Sequence, residues 1–197
     1  MALRKKFIKV TTHPIKEEVF VLGDPQNIEY TQLKLDLTKK LKGKPSEAVL
    51  FIKKEGNELH AYPKRIEVLK SYIIRLIRKK TSYVEDSFEG VCKDSAVYRI
   101  KPFLVTRRKV PRSIRKALRD KTKEIILQKL KELTFLQSCE AILSESLQKE
   151  LLHQLKKIYP LSACEIRVFE TKDYKKIETK TKDIETKEVE EDNEVTE

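Results

Sequence analysis

The stretch TRRKVPRSIRKALRDK, residues 106–121, holds eight Lys or Arg and one acid. Guanidinium and ammonium groups at this density repel one another unless an anion lies between them. The chemistry they offer is phosphate neutralisation, not bond making. Arg107, Arg108 and Lys109 precede a helical pattern, Arg112 stands where that pattern starts, and Arg115, Lys116, Arg119 and Lys121 fall in its first turns. Arg115 and Arg119, four residues apart, form a ridge beside the apolar Ile114 and Leu118. Basic charge at a helix N-terminus opposes the helix dipole by a few tenths of a kcal/mol or more, and a docked phosphate reverses that sign. A solvated face would mix Lys with Glu, as KTKEIILQKLKE (121–132) does; residues 106–119 do not. A second basic cluster, Arg75, Arg78, Lys79 and Lys80, lies upstream, and smaller ones fall at 4–9 and 39–44.

Other chemistry finds little support. Four glycines in total cannot build a phosphate-cradling loop, and no Gly-x-Ser-x-Gly elbow occurs. Glu85 and Asp86 are adjacent in a strand pattern, so they point to opposite faces. His153 sits in a leucine-rich helical segment and reads as a packing residue. Cys92, Cys139 and Cys164 are widely spaced and His13, His60 and His153 are scattered, so neither a disulfide framework nor a metal site is expected. The reading is of a non-enzyme with no cofactor and no small-molecule substrate.

The net charge is +12, and it is unevenly placed. Glu170 to Glu197 holds eleven acids and six Lys, a net of −5, which leaves +17 on residues 1–169. A folded body of that charge favours a polyanionic partner. No apolar run approaches membrane-spanning length and MALRKKFIKV lacks a secretory signal's apolar core, so a cytoplasmic protein without membrane attachment is expected. Aromatic residues are 7% with no Trp, and the RNA-recognition strand motif is missing, so backbone contact is favoured over base stacking.

The elements that must position these cations follow from periodicity. FIKVTT (7–12) and EVFVLG (18–23) read as strands. IEYTQLKLDL (28–37) alternates with one slip, and LTKKLKGKP (37–45) reads as a basic loop. AVLFIKK and ELHAY, joined through Glu55-Gly56-Asn57, form a hairpin. Residues 64–80 change to helical period, with Ile66, Leu69, Ile73 and Ile77 as the stripe. SYVEDSFEGV and AVYRIKPFLV make a second strand pair, with Tyr98, Ile100 and Leu104 on one face. Ser113 is the expected cap of a helix running to about 133. Thr134 and Gln137 match a capping box for the next helix. A third helix spans 146–159 on Leu147, Leu151, Leu155 and Ile158, and ACEIRVFE returns as a strand. The fold class is α+β: an antiparallel β-sheet or small β-barrel with a C-terminal helical part and a mobile acidic tail.

Four stretches in order, SYIIRLIRKKTSYVEDSF, KDSAVYRIKPFLVT, SIRKALRDKTKEIILQKLKELTF and KKIYPLSACEIRVFE, resemble the archaeal and eukaryotic small-subunit ribosomal protein family S-three-a (S-one-e). Where that family has Gly and an aromatic in the hairpin turn, this chain has Ser95-Ala96. The long basic N-terminal extension of eukaryotic members has no counterpart, so the shorter archaeal form is the nearer likeness. The resemblance implies a structural constituent of the small ribosomal subunit on its platform, binding rRNA and neighbouring ribosomal proteins, without enzyme activity. On this reading residues 1–170 form one rRNA-binding domain, β-rich over 1–105, helical over 113–159 and closed by a return strand at 163–170. Residues 171–197 are a charged, disordered tail. A dissociable RNA-binding regulator or chaperone, or an adaptor using the acidic tail, is the alternative.

Overall fold

The computed structural model describes residues 5–171, except 16, 24–27, 29, 30, 40, 42 and 57. The residues 172–197 expected as a tail thus lie outside the described residues, while Thr171 closes the last strand. Among the described residues there are nine strands and four helices. The strands are β1 (Lys6–Thr12), β2 (Glu17–Gly23), β3 (Gln32–Asp36), β4 (Ser46–Glu55), β5 (Glu58–Val68), β6 (Tyr83–Glu85), β7 (Phe88–Val91), β8 (Val97–Thr106) and β9 (Leu161–Thr171). The helices are α1 (Lys70–Leu76), α2 (Arg112–Glu132), α3 (Phe135–Leu143) and α4 (Ser146–Leu155).

The strands form one open sheet, not a barrel, ordered β2-β1-β5-β9-β8-β6, with β3 and β4 continuing from β5 and β7 lying on β8. All pairings are antiparallel except β1 with β5. The eleven-residue β5 makes this branching possible. One edge pairs with β4; the other serves β1 at His60 and Ala61 and β9 at Arg65–Glu67.

The expected helix over 64–80 is corrected by this strand. Ile66 and Val68 are buried at strand spacing, β5 runs to Val68, and α1 keeps only Lys70–Leu76. β5 carries Pro63 beside a register shift between β4 and β5, where a missing N–H costs no ladder bond. Pro102 occupies the same kind of position on β8. Ile73 is buried as expected, whereas Ile77 lies beyond the helix and is exposed.

β8 is the most enclosed strand, buried without interruption from Pro102 to Thr106. Its two faces meet different helices. Leu104 joins the main core with Leu118, Ile126, Leu130, Leu151 and Phe169, under α2, α3 and α4. Phe103 and Val105 point the other way and pack with Val68 of β5 and Ile73 of α1. Each large apolar side chain so buried contributes roughly 1.5–3 kcal/mol.

The strand expected over 82–91 is two strands, β6 and β7, broken at Asp86 and Ser87. The β7–β8 turn puts Ser95 at φ 61°, a conformation that favours Gly, at the position where the family resemblance expects Gly. The turn is tied down by the Lys93 amide donating to the Leu133 carbonyl and the Phe135 amide donating to Asp94 Oδ2, each at 3.1 Å. The Thr134–Gln137 capping box forms as its sequence signature demands. Ser113 is not the cap of α2: Pro111 takes that place and no side chain caps the helix. α4 ends at Leu155, so Ile158 stands exposed beyond it, and His153 is exposed on α4 instead of packed.

Candidate nucleic-acid interface

The site begins where β8 leaves the sheet. Thr106 is fully buried, and its hydroxyl donates to the Arg108 carbonyl at 2.7 Å, bending the chain out of the strand. Arg107, Arg108 and Lys109 follow, all exposed, and Val110 is buried again. That burial anchors both sides of the basic loop. The Arg107 amide donates to the Pro160 carbonyl at 3.3 Å, and the Val110 amide to Ser82 Oγ at 3.2 Å.

α2 then starts at Arg112. Leu118, Ile125, Ile126 and Leu130 fix its buried face, with Ile114 half-buried beside them. The opposite side displays Arg112, Lys116 and Arg119, with Arg115 partly buried. Among the described residues, no first-turn acid and no side-chain cap offsets the positive end of the helix dipole. Among the described residues no carboxylate lies within ion-pair distance of the seven cations between 107 and 119, whereas Lys121 pairs with Glu124 at 2.9 Å, as on a solvated helix face. Arg115 Nε is buried with no hydrogen-bond partner among the described residues.

A groove of about 450 Å³ runs between α2 and the edge strand β6, lined by Tyr83, Arg112, Ser113, Arg115, Lys116 and Arg119. A second, of about 370 Å³, adds Thr81, Ser82 and Glu85 while sharing Tyr83, Arg115 and Arg119. The two grooves share these three walls. Glu85 brings the one carboxylate there among the described residues, and it is already paired with Arg167 of β9.

The second basic cluster leaves the sheet beside the first, outside the grooves. Arg78, Lys79 and Lys80 occupy the connection from α1 to β6, all exposed. Thr81 closes that turn by donating from Oγ1 to the Arg78 carbonyl at 2.7 Å, with Lys80 at φ 66°. Ser82 then bonds to Thr106, so both basic segments leave one point of the β6–β8 ladder. Arg75 stays on α1, its Nε donating to the Ser71 carbonyl at 3.3 Å. None of these four cations is a wall of either groove.

Three residues of the groove escaped the sequence reading. Tyr83 is 52% exposed among the arginines, and Ser82 and Thr81 shape its floor. Strand alternation was a partial signal: with Val84 buried in the core under α2, Tyr83 faces away from that core, but alternation does not bring the ring to the α2 arginines. The basic segment at 39–44 needs a correction in the other direction. Lys44 is buried, ion-paired with Glu165 and 3.3 Å from Glu145, so it is spent on structure. Lys9, from the 4–9 segment, pairs with Glu18 at 2.7 Å. His13 and His60, far apart in sequence, meet at 3.2 Å, but no group of three or more potential metal ligands occurs among the described residues. No described helix is long and apolar enough to cross a membrane.

A basic, mostly antiparallel open sheet with helices on both faces and an acid-poor cationic groove defines a class of mixed α and β proteins that present fixed positive charge. The chain belongs to the Ribosomal S3Ae family, whose model matches residues 26–176. It is similar to the small ribosomal subunit protein eS1 of Saccharolobus islandicus, 34% identical over 116 residues covering 59% of this chain and 56% of the relative. The protein of that name from Archaeoglobus fulgidus is 31% identical over 113 residues, covering 56% and 54%. That from Saccharolobus solfataricus is 32% identical over 120 residues, covering 59% and 58%. The matched region thus spans little more than half the length of these relatives.

Proposed function

We propose that this chain is a structural constituent of the small ribosomal subunit, holding rRNA by its phosphates. The observation that carries this reading is the convergence of Arg107–Arg119 and Arg78–Lys80 at the Ser82–Thr106 junction, with no carboxylate paired to them among the described residues. Phosphates supply the missing counter-charge, and each contact releases condensed counterions. Arg107, Arg108, Lys109, Arg112, Arg115, Lys116 and Arg119 are the main contacts, with Arg75, Arg78, Lys79 and Lys80 as the second set. Family membership supports a ribosomal role. The finer placement, on the platform beside neighbouring ribosomal proteins in the cytoplasm, belongs to the same proposal, as does a single rRNA-binding domain over 1–170. No catalytic step is assigned.

The test is sedimentation of cell lysate through a sucrose gradient before and after a high-salt wash. An integral constituent travels with small subunits and survives the wash. Recovery at the top of the gradient, or release by salt, identifies a dissociable RNA-binding factor instead.

A further inference from the structure

We propose that the groove between β6 and α2 takes an unpaired nucleotide of an RNA strand, its base laid on Tyr83 and its phosphate held by Arg112, Arg115 and Arg119. This deepens the proposed phosphate-binding role and rests on it. Backbone contact alone needs no aromatic ring, yet Tyr83 is 52% exposed and is a wall of both grooves. The ring is braced. Phe103, 1% exposed, stacks against it with centroids 6.0 Å apart and planes at 25°. The register Tyr83↔Val105 fixes the backbone beneath it. A braced, half-exposed ring is a stacking platform that pays little ordering entropy when a base lands on it.

The surroundings choose the ligand. Arg112, Arg115, Lys116 and Arg119 line the rim, and Arg115 Nε has an unused donor among the described residues. An aromatic platform ringed by cations matches a flat π-face joined to a phosphate. A volume of about 450 Å³ falls within the range of small-ligand sites, about 300–1,000 Å³. A base-paired helix hides its base faces along its length, so an unpaired residue in a loop, bulge or end is required.

The intact chain is titrated against a twelve-residue single-stranded RNA carrying one 2-aminopurine, and against a duplex of equal length. Stacking on Tyr83 quenches the 2-aminopurine fluorescence and makes the single strand the tighter ligand. Tyr83→Ala abolishes the quench and weakens single-strand binding about five- to 150-fold. Tyr83→Phe restores both. Tyr83→Leu, which still fills the space against Phe103, behaves as Tyr83→Ala does and separates lost stacking from lost folding. Unchanged quenching in Tyr83→Ala, or equal loss of single-strand and duplex binding, overturns the stacking site. Displacement of the RNA by millimolar AMP overturns the assignment to a strand in favour of a free mononucleotide. The triple variant Arg112→Gln, Arg115→Gln, Arg119→Gln distinguishes the two proposals. If it weakens duplex binding while Tyr83→Ala changes nothing, stacking fails and phosphate binding stands. If it leaves both RNAs bound as before, phosphate binding itself fails.

Discussion

The backbone amide of Ser82 donates to Thr106 Oγ1 at 3.0 Å, and the amide of Thr106 donates back to the Ser82 carbonyl at 2.9 Å. One buried threonine, 24 residues from Ser82 in the chain, therefore joins the starting points of the two basic segments. Thr106→Val keeps the shape but leaves the Ser82 amide and Arg108 carbonyl without this partner. The expected loss is about 1–3 kcal/mol in urea unfolding. Affinity for single-stranded RNA should fall as well, because the loop at 107–110 loses its anchor.

Arg108 and Arg112 flank the turn into α2, exposed and without an ion-pair partner among the described residues. Replacing each by Gln removes one phosphate contact. The slope of log affinity against log salt should become shallower by about 0.7–0.9 per contact removed. Binding measured at four salt concentrations tests this; an unchanged slope rejects both residues as phosphate ligands.

Lys44 ties the loop after β3 to β9 and to the α3–α4 turn. Burial disfavours its charge, but the Glu165 carboxylate, with Glu145, holds its pKa above the usual lysine value. Burial pushes the Glu165 carboxyl upward while Lys44 opposes that shift. Lys44→Ala strands a buried carboxylate and should cost about 3–5 kcal/mol. The double replacement Lys44→Met with Glu165→Leu should recover most of it, read from denaturation midpoints.

Gly90 of β7 has no room for a side chain. A Cβ there lands on the Tyr98 hydroxyl and 2.9 Å from Leu127 Cδ2 of α2. Tyr98 is fully buried and cannot step aside. Gly90→Ala should destabilise the fold by about 1–3 kcal/mol by overpacking, while Gly56→Ala, at φ 62° in open space, acts only through backbone strain. Parallel thermal melts compare the two.

The thiols predict alkaline sensitivity. Burial pushes Cys92 from 9.0 up to about 11 and Cys164 from 9.0 up to about 12, and raises Cys139 in the same direction. A raised acid pKa means that the unfolded chain releases its proton first. The associated stability is fully present below pH about 9 and is lost as pH rises through 11 to 12, at most roughly 3 kcal/mol for Cys92. Urea midpoints measured from pH 8 to 11 should fall steadily. Alanine at Cys92 and Cys164 should flatten the curve.

Strand alternation, the Thr134–Gln137 capping box and the helical stripe beneath α2 were legible in the sequence because each is local: a period, a spacing, a turn residue. The cationic density of 106–119 was legible for the same reason. Tertiary pairing decided the rest. Ile66 and Val68 fit a helix or a strand, and only the partners β4 and β9 made them strand. Lys44 and Arg112 are both basic residues in exposed-looking segments, yet one is buried between carboxylates and the other lines the groove without an ion-pair partner among the described residues. Tyr83 became the centre of the site only when β6 paired with β8 and set it opposite α2. Local sequence determines which shape and charge each segment can offer. Burial and pairing, which depend on segments far along the chain, determine which of those charges remain to be used.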